Sequence, residues 1–233
     1  MLVLLGFAIV IFSVFGGFVL AGGHLYALFQ PFEFMIIGGA AAGSFVISNN
    51  SKVIVAAIKG AFGTFKPFPY SKKYYIELLS LFFELTNKIR KDGALSIETD
   101  IEDYKVSPLF SHYKLIQKDA KIMEFLCDHL RLIITGRVDV MHLEMIMDTD
   151  IETYETESEL PIMAINKVAD SLPAFGIVAA VMGVVHTMES IGVPPAVLGG
   201  LIAQALVGTF LGVLVGYGFT APVATAMDAR RQV

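Results

Sequence analysis

Tryptophan is absent from this chain, and cysteine occurs once, as Cys127. A single cysteine excludes an intrachain disulfide and any CxxC metal motif. Without tryptophan, an aromatic belt at a membrane surface would have to come from Tyr and Phe. The histidines, His24, His112, His129, His142 and His186, are scattered and none shows HExxH spacing. No metal and no cofactor is therefore expected. Charge is scarce as well. Charged residues make up 17% of the chain, against about a quarter in a soluble domain. Hydrophobic residues reach 55% and the mean hydropathy is +0.67, which points to a membrane protein. The net charge of −5 decides little, because the distribution of charge matters more than its sum.

Four apolar stretches are long enough to be membrane helices. Span one, Met1 to Ala21, has no charged side chain and is about as long as a helix needs to be to cross a bilayer. It lacks a basic n-region, and its apolar run is too long for a signal-peptide core, so it reads as a retained anchor. A short turn, Gly22 to Pro31, leads into span two, Phe32 to Ser48. That span is rich in small residues (Gly38, Gly39, Ala40, Ala41, Ala42, Gly43, Ser44), which let membrane helices approach closely. Glu33 is expected at its outer end, solvated at headgroup level. Span three, Val168 to Thr187, carries Pro173 just inside one end, Asp170 before it, and a body containing Gly176, Ala179, Ala180 and Gly183. A short outer turn, Ser190 to Pro195, precedes span four, Ala196 to Ala221, which ends at Pro222. Gly208, Gly212 and Gly216 recur at helical spacing in span four and predict one close-packing edge.

Residues 49–167 form a polar insert that holds most of the charge. Lys72 to Gly93 has Ile76, Leu79 and Phe83 at helical spacing, with Gly93 as a stop. Asp119 to Thr135 predicts a second amphipathic helix, capped by Asp119 and ended by Gly136. Asp139 opens a third helix that turns acidic through Asp148, Asp150, Glu152, Glu155, Glu157 and Glu159 before Pro161. That run reads as a solvated face; the sharper alternative is a docking surface or a cation-attracting vestibule. All 17 Lys and Arg lie in the insert or after span four. The positive-inside rule therefore places the insert and both termini in the cytoplasm, with Lys52, Lys59 and Lys66 deciding the orientation. The expected division is a transmembrane hairpin (1–48), a cytoplasmic helical domain (49–167), a second hairpin (168–227) and a short C-terminus (228–233). The fold class is an all-α membrane protein.

The spans show no ionisable residue at mid-depth; His186 and Glu189 lie near the outer end of span three and Asp170 near the inner end. Groups that carry ions through a membrane are kept at depth despite their cost, so an ion carrier would have to sit on another chain. This chain offers polarity without charge: Thr209 midway along span four and Gln204 nearer the outside. Pro173 frees a carbonyl one turn back, near Ala169, and can hinge the helix. An intramembrane hydrolase is excluded on distance, because Ser171 and His186 are separated by roughly 22 Å of helix. No enzyme activity is expected.

The stretch ADSLPAFGIVAAVMGVVHTM, followed by LIAQALVGTFLGVLVGYGFTAP, resembles the MotA family of flagellar stator subunits, within the MotA/TolQ/ExbB proton-channel superfamily. VFGGFVLAGG in span one and IIGGAAAGSFVISNN in and just after span two extend the likeness over nearly the whole chain. The resemblance implies a subunit of the bacterial inner membrane that forms a homo-oligomeric ring, a pentamer in the family, around a pair of MotB-like single-span chains. Each of those chains carries an ion-binding Asp and a domain that grips peptidoglycan. No nucleic-acid partner is implied. By resemblance, Pro173 links partner protonation to movement of the cytoplasmic domain, Pro222 supports it, and Arg90 and Glu98 contact the rotor protein FliG. Sodium-coupled relatives carry Thr at the position aligned with Ala180. A methyl group cannot ligate sodium, so proton coupling is expected; Thr209 occurs in both kinds. The alternative is a TolQ/ExbB-type energiser of outer-membrane processes, which has three spans rather than two hairpins. The chain stops soon after span four, where family members usually continue into a further cytoplasmic helical tail, as expected of either a fragment or a natural truncation.

Overall fold

The computed structural model describes residues 2–136, 138–189, 192 and 194–232, the side chains of Pro195 and Ala196 excepted. Most of the expected outer turn at 190–195 lies outside them. The described residues are helical throughout their regular structure. They group into two compact units, one of residues 1–67 with 157–233 and one of residues 68–156.

The first unit holds α1 (Leu2–Leu20), α2 (Pro31–Ser48), α3 (Ser51–Gly63), α10 (Pro195–Val213), α11 (Ala221–Arg231) and the C-terminal part of α9 (Val140–Met188). Four helical stretches are long and apolar enough to cross a membrane: Leu2–Leu20, Leu25–Ser48, Val140–Met188 and Val197–Arg231. Helix α1 is apolar on every side and has no buried residue, the pattern of a helix that meets lipid or another subunit. Pro31 begins α2, where its missing N–H costs nothing. Asn50 caps α3 by accepting a hydrogen bond from the Val53 amide at 2.9 Å; this helix follows span two directly and was not separately anticipated. Its far end is held by Arg230, whose guanidinium donates to the carbonyls of Gly63 (2.7 Å), Thr64 (2.9 Å) and Lys66 (2.5 Å).

Helix α9 runs unbroken through both Pro161 and Pro173 and at helical rise is about 70 Å long. Helix α10 passes through a π-helical segment, Leu214–Thr220, into α11, so the helix that holds span four continues past Pro222 to Arg231. The Thr220 hydroxyl donates to the Val215 carbonyl five residues back at 2.9 Å, in keeping with the wider register of a π-turn.

The second unit contains α4 (Lys72–Asp92), α5 (Glu98–Glu102), α6 (Pro108–Ser111), α7 (Lys114–Gln117), α8 (Ala120–Thr135) and the start of α9. The expected stops are present: Gly93 and Gly136 take positive φ of 83° and 61°, a conformation glycine adopts without a Cβ clash. Asp119 caps α8 and also accepts from the Tyr74 hydroxyl at 2.9 Å. The core joins Leu81, Leu85, Ile97, Phe110, Ile116 and Met123. Ile76, Leu79 and Phe83, the apolar residues at helical spacing in α4, are 53%, 69% and 71% exposed. Helix α4 is apolar on two sides, and the side bearing Tyr74, Leu81 and Leu85 is the one the other helices cover. The exposed side borders a cleft of about 550 Å³ with Glu84, Asn87 and Tyr113.

Candidate functional site

The seam between α9 and α10 is built from missing side chains. A Cβ on Gly212 would stand 2.6 Å from the Leu172 carbonyl oxygen and 2.8 Å from the Gly176 Cα. A Cβ on Gly176 would stand 2.7 Å from the Gly208 carbonyl oxygen and 3.3 Å from the Thr209 Cα. Gly208 itself meets Ala179 and the Ala180 amide nitrogen, at 3.1 and 3.2 Å from where its Cβ would be. The glycine edge of span four therefore lies in backbone contact with span three, as its spacing predicts. Dispersion falls steeply with separation, so such proximity gives many contacts per residue.

Pro173 lies at one end of this seam. Its ring removes the hydrogen bond that the Ala169 carbonyl would otherwise accept. That carbonyl oxygen is met by Gly216, whose Cβ position is 2.7 Å from it and 3.1 Å from Pro173 Cδ. A glycine of the π-helical segment thus seats directly on the proline break. Ala180 and Thr209 belong to the same seam, both half-buried. Thr187 and Thr225 donate to the carbonyl four residues back, at 2.8 and 3.2 Å. Thr209 makes no such bond among the described residues, which leaves its hydroxyl available to another group.

Glu33 requires a correction. Its side chain is buried, at 9% exposure, rather than solvated at a headgroup. The carboxylate reaches across to α10, where Oε2 occupies the space a Cβ on Gly208 would need. Gly208 lies near the middle of the expected span four, residues 196–221, so an ionisable group packs against that stretch. Sequence reasoning placed Glu33 by its position at the start of α2; the one available signal was the small residue opposite it.

The other assigned residues lie elsewhere. Asp170 is exposed, outside the seam. Pro222 is also exposed and borders an apolar groove of about 320 Å³ with Leu2, Val3, Gly6, Phe7, Val10 and Gly218. In the second unit, Arg90 closes the last turn of α4 and Glu98 opens α5, and both side chains are exposed. Beneath them Lys88 donates to Asp100 at 2.7 Å, and the Ser107 hydroxyl donates to the other oxygen of Asp100 at 2.6 Å. Asp100 is buried, so this pairing ties α4 to α5 and holds Arg90 and Glu98 on their respective helix ends. Sequence reading missed the Lys88–Asp100–Ser107 group. Two more groups have shifted proton affinities. The hydrogen bond from Tyr113 to Glu84 (2.7 Å) raises the Tyr113 phenol to about 12, and burial raises the Cys127 thiol to about 11. Among the described residues no cluster of three His, Cys, Asp or Glu could hold a metal ion.

Comparison with known proteins agrees with this architecture. Residues 4–93 match the motility protein A N-terminal family. Residues 117–233 match the MotA/TolQ/ExbB proton channel family. The chain is 50% identical to motility protein A of Salmonella typhimurium and 48% identical to that of Escherichia coli, in each case over 97% of this chain and 77% of the relative. Its fold matches a chain of the Campylobacter jejuni MotAB structure with a TM-score of 0.78 at 20% identity, covering 99% of this chain and 82% of the other. With both halves matched and half of the aligned residues shared with a motility protein over nearly the full length of the given sequence, this chain belongs to the motility protein A family of MotA/TolQ/ExbB proton channel proteins.

Proposed function

We propose that this chain is the torque-generating stator subunit of a bacterial flagellar motor, coupling proton flow to rotation without covalent catalysis. The observation that carries the reading is the α9–α10 seam. A proline break with its freed carbonyl lies on a glycine of a π-helical segment, and the helix that bears the break also enters the second unit. A change at the seam can therefore be passed along one continuous helix. The stator reading is favoured over a TolQ/ExbB-type energiser by the four membrane-length stretches and by the N-terminal motility protein A match.

Copies of the chain form a ring, a pentamer, in the inner membrane around a MotB-like single-span partner, with the insert and both termini cytoplasmic. Residues 1–48 and 168–227 act as the two hairpins, 49–167 as the cytoplasmic domain and 228–233 as the cytoplasmic C-terminus. A proton from outside neutralises the partner's Asp beside the wall that carries Ala180 and Thr209. Loss of that charge changes which polar neighbours the partner prefers, and ring and partner shift relative to each other. Pro173 and its seat on Gly216 convert the shift into a movement of α9; Pro222 and Asp170 flank the same helices. Arg90 and Glu98 then push on the rotor protein FliG. No cofactor takes part beyond the proton gradient.

The test is motility. The chain, expressed with its single-span partner in a stator-deleted cell, restores swimming in sodium-free medium, and a protonophore abolishes it. Swimming only with sodium would overturn proton coupling. No swimming, with both proteins in the membrane, would overturn the stator role.

A further inference from the structure

Glu33 is the one acid whose carboxylate is buried among the apolar helices of the first unit, and two glycines of the neighbouring helices, Gly183 and Gly208, lie against it. Oε2 is shielded from solvent and has no hydrogen-bond partner among the described residues. A buried polar atom without a partner is rare in a native fold and requires a reason. The surroundings do not supply one in packing terms. Gly208 leaves open the volume that Oε2 fills, because any side chain there would collide with Glu33 and with Ala179. A Cβ on Gly183 would stand 3.6 Å from Oε1 and 2.8 Å from the Ala205 methyl. The helices are pared back around a carboxyl group that a leucine or methionine of equal size would fill at lower cost. Acids kept at such depth in membrane proteins mark ion and proton paths.

We propose that Glu33 is a proton-exchange site of the ion path, entered from the outer aqueous side and lying level with Ala180 and Gly208. It binds a proton on Oε2, forming one O–H bond, and releases it by breaking that bond, the proton passing to water or to a carboxylate of the partner chain. Glu33 is the only titratable residue of α2, and α10 has none. Beyond this level are His186 on α9 and Glu189 just after it, both largely exposed and paired with each other at 3.8 Å; Lys167 and Asp170 are exposed toward the other end of the span. None of these is a hydrogen-bond partner of Glu33, so its proton exchange is its own. The inference deepens the proposed stator function and rests on it for the direction of flow.

Two measurements separate the two ideas. In stator-deleted cells supplied with the chain and its partner, Glu33→Gln keeps the shape of the side chain but cannot titrate. Swimming speed is expected to fall severalfold at equal membrane protein levels, and its dependence on external pH to flatten; Glu33→Asp is expected to keep a pH dependence. Glu33→Gln cells with wild-type speed and an unchanged pH profile would overturn the proposal. Independently, the purified chain in lipid vesicles is titrated by infrared difference spectroscopy. A carbonyl band of a protonated carboxyl that titrates with pH, disappears in Glu33→Gln and shifts in Glu33→Asp supports proton exchange even if the chain drives no motor. Absence of any band that depends on Glu33 would overturn proton exchange even if the motor turns.

Discussion

At the scale of single residues, the structure separates groups that hold the fold from groups free to act. Lys88 and Asp100 illustrate the first kind. Removing Lys88 leaves a buried carboxylate with the Ser107 hydroxyl as its remaining hydrogen-bond donor among the described residues. Lys88 is itself 33% exposed, so the loss is discounted for screening by water and is expected at about 1–3 kcal/mol for Lys88→Ala. It should appear as a lower midpoint of thermal unfolding in detergent. Arg90→Ala and Glu98→Ala are expected to leave that midpoint unchanged, since neither side chain is buried, and to lower motor torque in a tethered-cell assay. Exposed charge pairs are worth under about 1 kcal/mol each, so single changes weaken torque and a paired charge reversal with the rotor restores part of it. Cys127 belongs to the fold-holding kind. Burial raises its thiol to about 11, so it stays a neutral thiol at pH 8, where a maleimide is expected to label it only after denaturation, as read by mass spectrometry. The unfolded chain ionises first, so stability is full below the ordinary thiol value of about 8.5 and declines as the pH rises past it.

At the scale of helices, α9 and α10 act as a matched pair because each presents glycine where the other presents backbone. Gly212→Ala would drive a methyl to 2.6 Å from the Leu172 carbonyl oxygen. Backbone atoms cannot rotate aside as a flexible side chain can, so the helices must separate, at an expected cost of about 1–3 kcal/mol. Gly199, on the same helix, has open space where its Cβ would stand, and Gly199→Ala should be neutral. The check is the thermal midpoint and the membrane level of the two variants side by side. Equal behaviour would mean that the seam is not a close contact. The two prolines of α9 show why residue type alone decides little at this scale. Pro161 and Pro173 both lie inside an unbroken helix. What distinguishes Pro173 is the glycine against its freed carbonyl.

At the scale of the molecule, the two units are stabilised differently. The second has an ordinary core of large side chains such as Phe110, Leu81 and Met123. The first packs around small residues, with Ala179 and Ala41 beside Leu172 and Leu211, and buries no residue of α1 fully. A helix apolar on all sides has to face lipid or further protein. The groove beside Leu2, Phe7 and Pro222 lies along that helix.

Much of this was legible in the sequence because it depends on local chemistry. Composition and the length of the apolar runs determine a four-span membrane protein. Capping side chains and glycines determine where α4 and α8 start and stop, and the spacing of Gly208, Gly212 and Gly216 determines that span four has a close-packing edge. These follow from helical periodicity and from propensities that act within a few residues. Three features were decided only by the tertiary structure. Which apolar face of α4 is covered depends on helices distant in sequence. The Lys88–Asp100–Ser107 group depends on how α4 and α5 meet. The burial of Glu33 depends on α10 presenting a glycine at the height its carboxylate reaches. A residue near the end of one helix can lie against the middle of another whenever the two are offset along their axes, and that offset is set by packing between helices, which no single stretch of sequence contains.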